Sequence, residues 1–267
     1  MKKILFALAI AGGLGAASVA FANHAWGEYH WARTTPTFTL ALGDNVSGAW
    51  DSYLAQASTD WNASSIVDTA VVPGTTNKSW GLYTPKRCHP ATGRGEVCSA
   101  KYGSTGWLGV ASIWISGSHI TAGTVKMNDS YFNTATYNKP AWRALVMCQE
   151  IGHIFGLDHQ DEAFNNANLG TCMDYTSSPD TNQHPNAHDY EMLETIYAHL
   201  DTTTTVAQSA ATLPQDSNEP DEWGREVRRS RDGRASVFVQ ELDGTTVVRH
   251  VFWAEPRNTE RPLRDPR

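Results

Sequence analysis

Apolar and polar positions alternate through Phe38-Thr39-Leu40-Ala41-Leu42, the period-two pattern of a half-buried strand, so the spacing predicts a first strand over 29–42. Trp50, Tyr53, Leu54, Ala57 and Trp61 then recur at helical intervals, which predicts an amphipathic helix over 50–61 lying on the sheet. That periodicity makes the tryptophans core packing rather than an exposed carbohydrate platform. A second strand at 66–72 is stopped by Pro73-Gly74. No period emerges over 75–106, a segment that holds a Pro/Gly-rich loop between Cys88 and Cys98. Pro140 suits the first turn of a helix that runs on through Arg143, Ala144, Val146 and Met147 toward Gln149. After Leu200 the composition shifts to a Thr/Ser/Ala/Pro stretch that reads as linker to residue 220. Beyond it, 222–229, 235–242 and 245–253 read as three short strands, with Asp232-Gly233 and Asp243-Gly244 as hairpin turns. This small antiparallel sheet either binds a partner or docks on the preceding domain.

The chemistry concentrates in Gln149-Glu150-Ile151-Gly152-His153-Ile154-Phe155-Gly156-Leu157-Asp158-His159. Positions four apart share a helix face, so Gln149 and His153 project side by side with Glu150 at their flank. Gly156 can end the helix in the left-handed conformation and swing His159 back toward them. A hydrolytic zinc wants three protein ligands and one open position, where it acidifies a water that a nearby Glu can deprotonate. Cys148 is an alternative donor, but it lies about 140° round the helix from His153 and would point away.

This stretch resembles the H-E-x-x-H-x-x-G-x-x-H signature of the metzincin metallopeptidases, with Glu150, His153, Gly156 and His159 matching and Gln149 standing where the first His belongs. Gly170-Thr171-Cys172-Met173-Asp174-Tyr175 resembles that clan's Met-turn, and 107–111 and 120–128 resemble the two strands that precede the zinc helix in matrixins. Residues 185–200 look like the closing helix. The resemblance implies an α+β fold: a twisted, mostly parallel sheet with an antiparallel edge strand, a zinc helix and a Met-turn, here followed by the antiparallel extension. It implies zinc held by Gln149, His153 and His159, with Glu150 as general base, Met173 beneath the site and Tyr175 within reach of the metal. An extended polypeptide substrate would pair with the strand at 107–115. The neutral amide of Gln149 is a poorer zinc donor than imidazole, so weak metal binding is expected. Gln160-Asp161-Glu162 offers carboxylates near the site, although a solvated acidic turn is the simpler reading.

Composition adds the setting. With 267 residues, 40% of them hydrophobic, the chain can bury a sizeable core. Lys2 and Lys3, the apolar run that follows and Ala20-Phe21-Ala22 predict a secretory signal peptide over 1–22. Its removal takes the formal charge from −7 to −9, which argues against nucleic acid as a partner; no other apolar run approaches membrane-spanning length. Four cysteines in an exported chain suggest two disulfides, Cys88 with Cys98 and Cys148 with Cys172. The expected organisation is a signal peptide at 1–22, a metallopeptidase domain at 23–200, a linker at 201–220 and a β-rich extension at 221–267. The expected activity is a secreted or periplasmic zinc endopeptidase. The rival is a pseudopeptidase that keeps the cleft as a protein-binding module, a reading that Gln149 supports and Glu150 opposes. Oligomeric state is left open.

Overall fold

The computed structural model describes residues 24–75, 86–208 and 213–254; the expected signal peptide and the end of the C-terminal extension lie outside them. In chain order the strands are β1 (His30–Trp31), β2 (Phe38–Asn45), β3 (Val67–Pro73), β4 (Gly95–Ala100), β5 (Trp107–Ser116), β6 (His119–Asn128), β7 (Arg225–Arg229), β8 (Ala235–Leu242) and β9 (Thr245–Trp253). The helices are α1 (Asp51–Trp61), α2 (Asp129–Phe132), α3 (Pro140–Ile154) and α4 (Ala187–Ile196). The fold is α+β, built on one mixed sheet in the order β3-β2-β4-β6-β5-β9-β8-β7, with β1 added beside β6. Pairing is parallel among β1, β2, β3, β4 and β6, and antiparallel from β5 onward.

The sequence reading differs from this architecture in three places. The strand expected over 29–42 is two strands separated by Ala32–Thr37. Within the segment expected to be irregular, β4 pairs with both β2 and β6, and all six of its residues are buried. Covered on both faces, it shows no alternation for a pattern search to find. Third, β5 is not an edge. β9 pairs along it from Trp107↔Trp253 to Ile115↔Thr246, so the C-terminal strands extend the main sheet, one of the two alternatives open from sequence. Nor does the segment between α4 and β7 hang free. The Arg33 and Thr205 amides donate to the Asp201 carboxylate and the Ala32 carbonyl respectively, and Asp216 is buried.

The sheet carries a core on each face. α1, α3 and α4 cover one side, over Trp31, Leu40, Trp61, Leu145 and Ile151. On the other, Tyr102, Trp107, Val110, Trp223, Phe238, Val251 and Trp253 form a second apolar cluster. Asp216 pins this back side: its carboxylate accepts from Lys126 Nζ at 2.8 Å, Arg249 Nε at 2.7 Å and Ser112 Oγ at 3.0 Å. Lys126, Arg249 and Ser112 come from β6, β9 and β5, so one buried carboxylate ties together three adjacent strands. Both expected disulfides are present, and Cys148–Cys172 joins α3 to the segment carrying Met173.

Candidate metal centre

α3 opens on Pro140 and ends where Gly156 takes φ +95°, a conformation that costs a glycine little. A Cβ at this position would lie 2.2 Å from the Tyr29 carbonyl oxygen, so the close approach of the N-terminal segment also requires glycine. The turn returns His159 against His153, and their Nε2 atoms are 3.1 Å apart. His153 Nδ1 lies 2.8 Å from the Leu157 carbonyl oxygen, which can only accept. The ring proton therefore sits on Nδ1 and leaves Nε2 with a lone pair, the tautomer a metal ligand needs.

A third imidazole joins them from a place the sequence reading did not examine. His250 of β9 is opposite Ala111 of β5, while its neighbour Arg249 is opposite Ser112. Opposed residues share a face and successive ones alternate, so His250 faces α3 and Arg249 the back of the sheet. The His250 ring stacks on His153 with centroids 4.0 Å apart and meets the His159 ring edge-on at 4.3 Å. His153, His159 and His250 each offer a ligand atom, all within 4.8 Å of one another.

Gln149 is held differently. Its Nε2 donates to the Cys172 carbonyl at 2.8 Å, which fixes the amide's orientation and leaves Oε1 buried with no hydrogen-bond partner. Glu150 is fully buried, near the Ala111 amide, but neither oxygen reaches hydrogen-bonding geometry. A Cβ on Gly109 would come within 2.4 Å of Glu150 Oε1, so this glycine of β5 makes the room the carboxylate occupies. Met173 is buried against α3, its sulfur 2.6 Å from where a Gly152 Cβ would stand. The Tyr175 ring lies 4.0 Å from that of His159, and its hydroxyl is buried without a partner. Of the acidic turn, Glu162 comes closest, 3.7 Å from His159 Nδ1.

Electrostatics suit a cation. Burial, with the neighbouring His250, holds His153 well below the usual imidazole range, and burial first among the causes lowers His159 and His250 to about 4. All three are then neutral at pH 7, which is the ligating form. Burial pushes the Glu150 carboxyl well above its ordinary value. Asp158 stays below its usual range despite burial, because His250 and Arg228 stand against it; Arg228 grips both its oxygens at 2.6 Å. Leaving Gln149 Oε1, both Glu150 oxygens, Tyr175 Oη and His250 Nδ1 buried and unpaired costs roughly 1–3 kcal/mol apiece. A bound cation and its water would satisfy such a set, so the residues present fit a metal of the imidazole-binding kind.

No family model matches the chain, and no curated protein matches it. The two disulfides fit an oxidising, extracytoplasmic compartment. Among the described residues no helix is long and apolar enough to cross a membrane.

Proposed function

We propose that the chain is a metzincin-like, matrixin-type zinc endopeptidase that acts on polypeptides outside the cytoplasm. The observation that carries this reading is the meeting of His153 and His159, Nε2 to Nε2 at 3.1 Å, beside a Glu150 carboxylate buried without a partner. His153, His159 and His250 would hold the zinc, with Gln149 Oε1 as a further donor. When bound, zinc polarises a water and the scissile carbonyl. Glu150 would take a proton from the attacking water and pass it to the leaving amine; burial raises its carboxyl well above the ordinary value, which strengthens its hold on that proton. Met173 and the Cys148–Cys172 bridge support the floor of the site without touching the reaction.

β9 occupies the edge of β5 that an extended substrate would use. β9 leaves no room for a substrate to pair there, and because β9 also carries His250 a substrate must reach the zinc without displacing it. The same observation favours a second reading, a pseudopeptidase whose covered cleft serves only binding. Metal content of the purified chain, with casein cleavage measured with and without chelator, separates the two. Zinc and chelator-sensitive cleavage that Glu150→Gln abolishes are expected. A metal-free, inert chain would end the peptidase reading.

A further inference from the structure

A second group of histidines lies outside this site, where β1 meets β6 and the chain leaves α4. In the β1–β6 register His30 is opposite His119. His199 and Asp201 reach the same point just after α4. Asp201 Oδ1 receives three imidazoles by their Nε2 atoms: His119 at 3.2 Å, His30 at 3.5 Å and His199 at 3.7 Å. The His30 and His199 Nε2 atoms are themselves 3.2 Å apart. The other Asp201 oxygen is occupied by the Arg33 amide at 2.9 Å.

Hydrogen-bond logic leaves this cluster short of positive charge. His30 Nδ1 stands 2.8 Å from the Glu28 carbonyl oxygen and must donate to it, so in the neutral ring Nε2 is a bare lone pair. That lone pair faces a carboxylate oxygen and a second ring nitrogen, an arrangement that calls for a positive charge between them. Zinc bonds of about 2.0–2.2 Å to nitrogen and oxygen put tetrahedral ligands roughly 3.3–3.5 Å apart. The separations of 3.2–3.7 Å found among His30, His199 and Asp201 bracket that spacing. The Glu28 carbonyl is the outer-shell acceptor that ligating histidines customarily have. His30 is buried, Asp201 and His119 are half-buried and His199 is exposed, which leaves an entry path from solvent.

We propose that His30, His199 and Asp201 form a second metal site for a zinc-like divalent cation, with His119 hydrogen-bonded to the Asp201 carboxylate and holding it in place. Two imidazoles and one carboxylate supply three ligands to such an ion. The ion fastens the N-terminal strand to the exit of α4. Nothing in this assignment depends on the peptidase reading, because the two sites share no residue.

The test uses the full chain, equilibrated in zinc-buffered solution, dialysed and analysed for metal. Wild type should hold one more equivalent of zinc than His199→Ala or Asp201→Asn, and those variants should lose most of the zinc-dependent rise in Tm. His153→Ala should retain the equivalent that His199→Ala loses. Cobalt in place of zinc should give tetrahedral visible bands in His153→Ala and not in the His153→Ala/His199→Ala double variant. Folding of each variant is checked by circular dichroism. Equal zinc content in folded wild type, His199→Ala and Asp201→Asn would overturn the proposal and leave the peptidase reading standing. Zinc retained in wild type but unchanged by His153→Ala, and removed by His199→Ala, would support this site and sink the other.

Discussion

His250 shows how far one side chain can alter a site. The signature segment lacks an imidazole at Gln149, and the C-terminal strand brings one in from far along the chain. If His250 is a ligand, His250→Ala should weaken zinc binding by at least the about 10- to 100-fold that losing an outer-shell support costs, measured by competition with a chromophoric chelator. Glu150→Gln should keep the metal and lower casein cleavage by about 10²–10⁴-fold, the usual worth of a general base. Gly156→Ala meets a backbone oxygen at 2.2 Å and a left-handed φ together. Strain of this kind costs on the order of 1–3 kcal/mol, to be read from chemical denaturation. Residue by residue, the sequence disclosed His153, His159, Gly156 and both disulfide pairs, because each depends on short-range spacing. His250 was legible only as an imidazole in the set Val248, His250 and Phe252 of an alternating strand, and nothing local says what that set faces.

At the level of elements, register decides the chemistry. Arg249 and His250 are neighbours, and the pairing of β9 with β5 sends one to Asp216 and the other to the candidate metal centre. A slip of one residue would exchange them. The Asp216 knot holds the register: its carboxyl lies below the ordinary value although burial pushes it up, because Lys126 and Arg249 outweigh burial. A depressed carboxyl contributes stability that is complete above its unfolded value, near 3.8, and is lost as pH falls through the folded value. Acid titration of wild type should show this loss below about pH 4, and Asp216→Ala should abolish that component. Asp216→Ala also leaves two buried cations unpaired and should cost about 3–5 kcal/mol at neutral pH, read from urea melts. Most elements were foreseeable from period alone. The interior place of β5 was not, because Leu108, Ala111, Ile113 and Ile115 packing on one face and Trp107 and Val110 on the other tell of covered faces and nothing of a neighbouring strand. That pattern belongs to a strand covered on both sides. β4 was not foreseeable either.

Across the whole molecule, the long sheet joins two regions that composition alone would separate. The stretch after Leu200 looks like a linker in sequence because its residues are small and polar, yet Asp201 and Asp216 anchor it at both ends. The sheet also sets a timetable. Ala111 and His250 are paired neighbours in space but distant along the chain, and contacts of such separation form late. Until β9 has been synthesised and has found its groove, the pocket lacks an imidazole and the back core lacks Val251 and Trp253. On the proposed reading, hydrolytic competence therefore waits on the docking of the last strand and not on the signature segment alone.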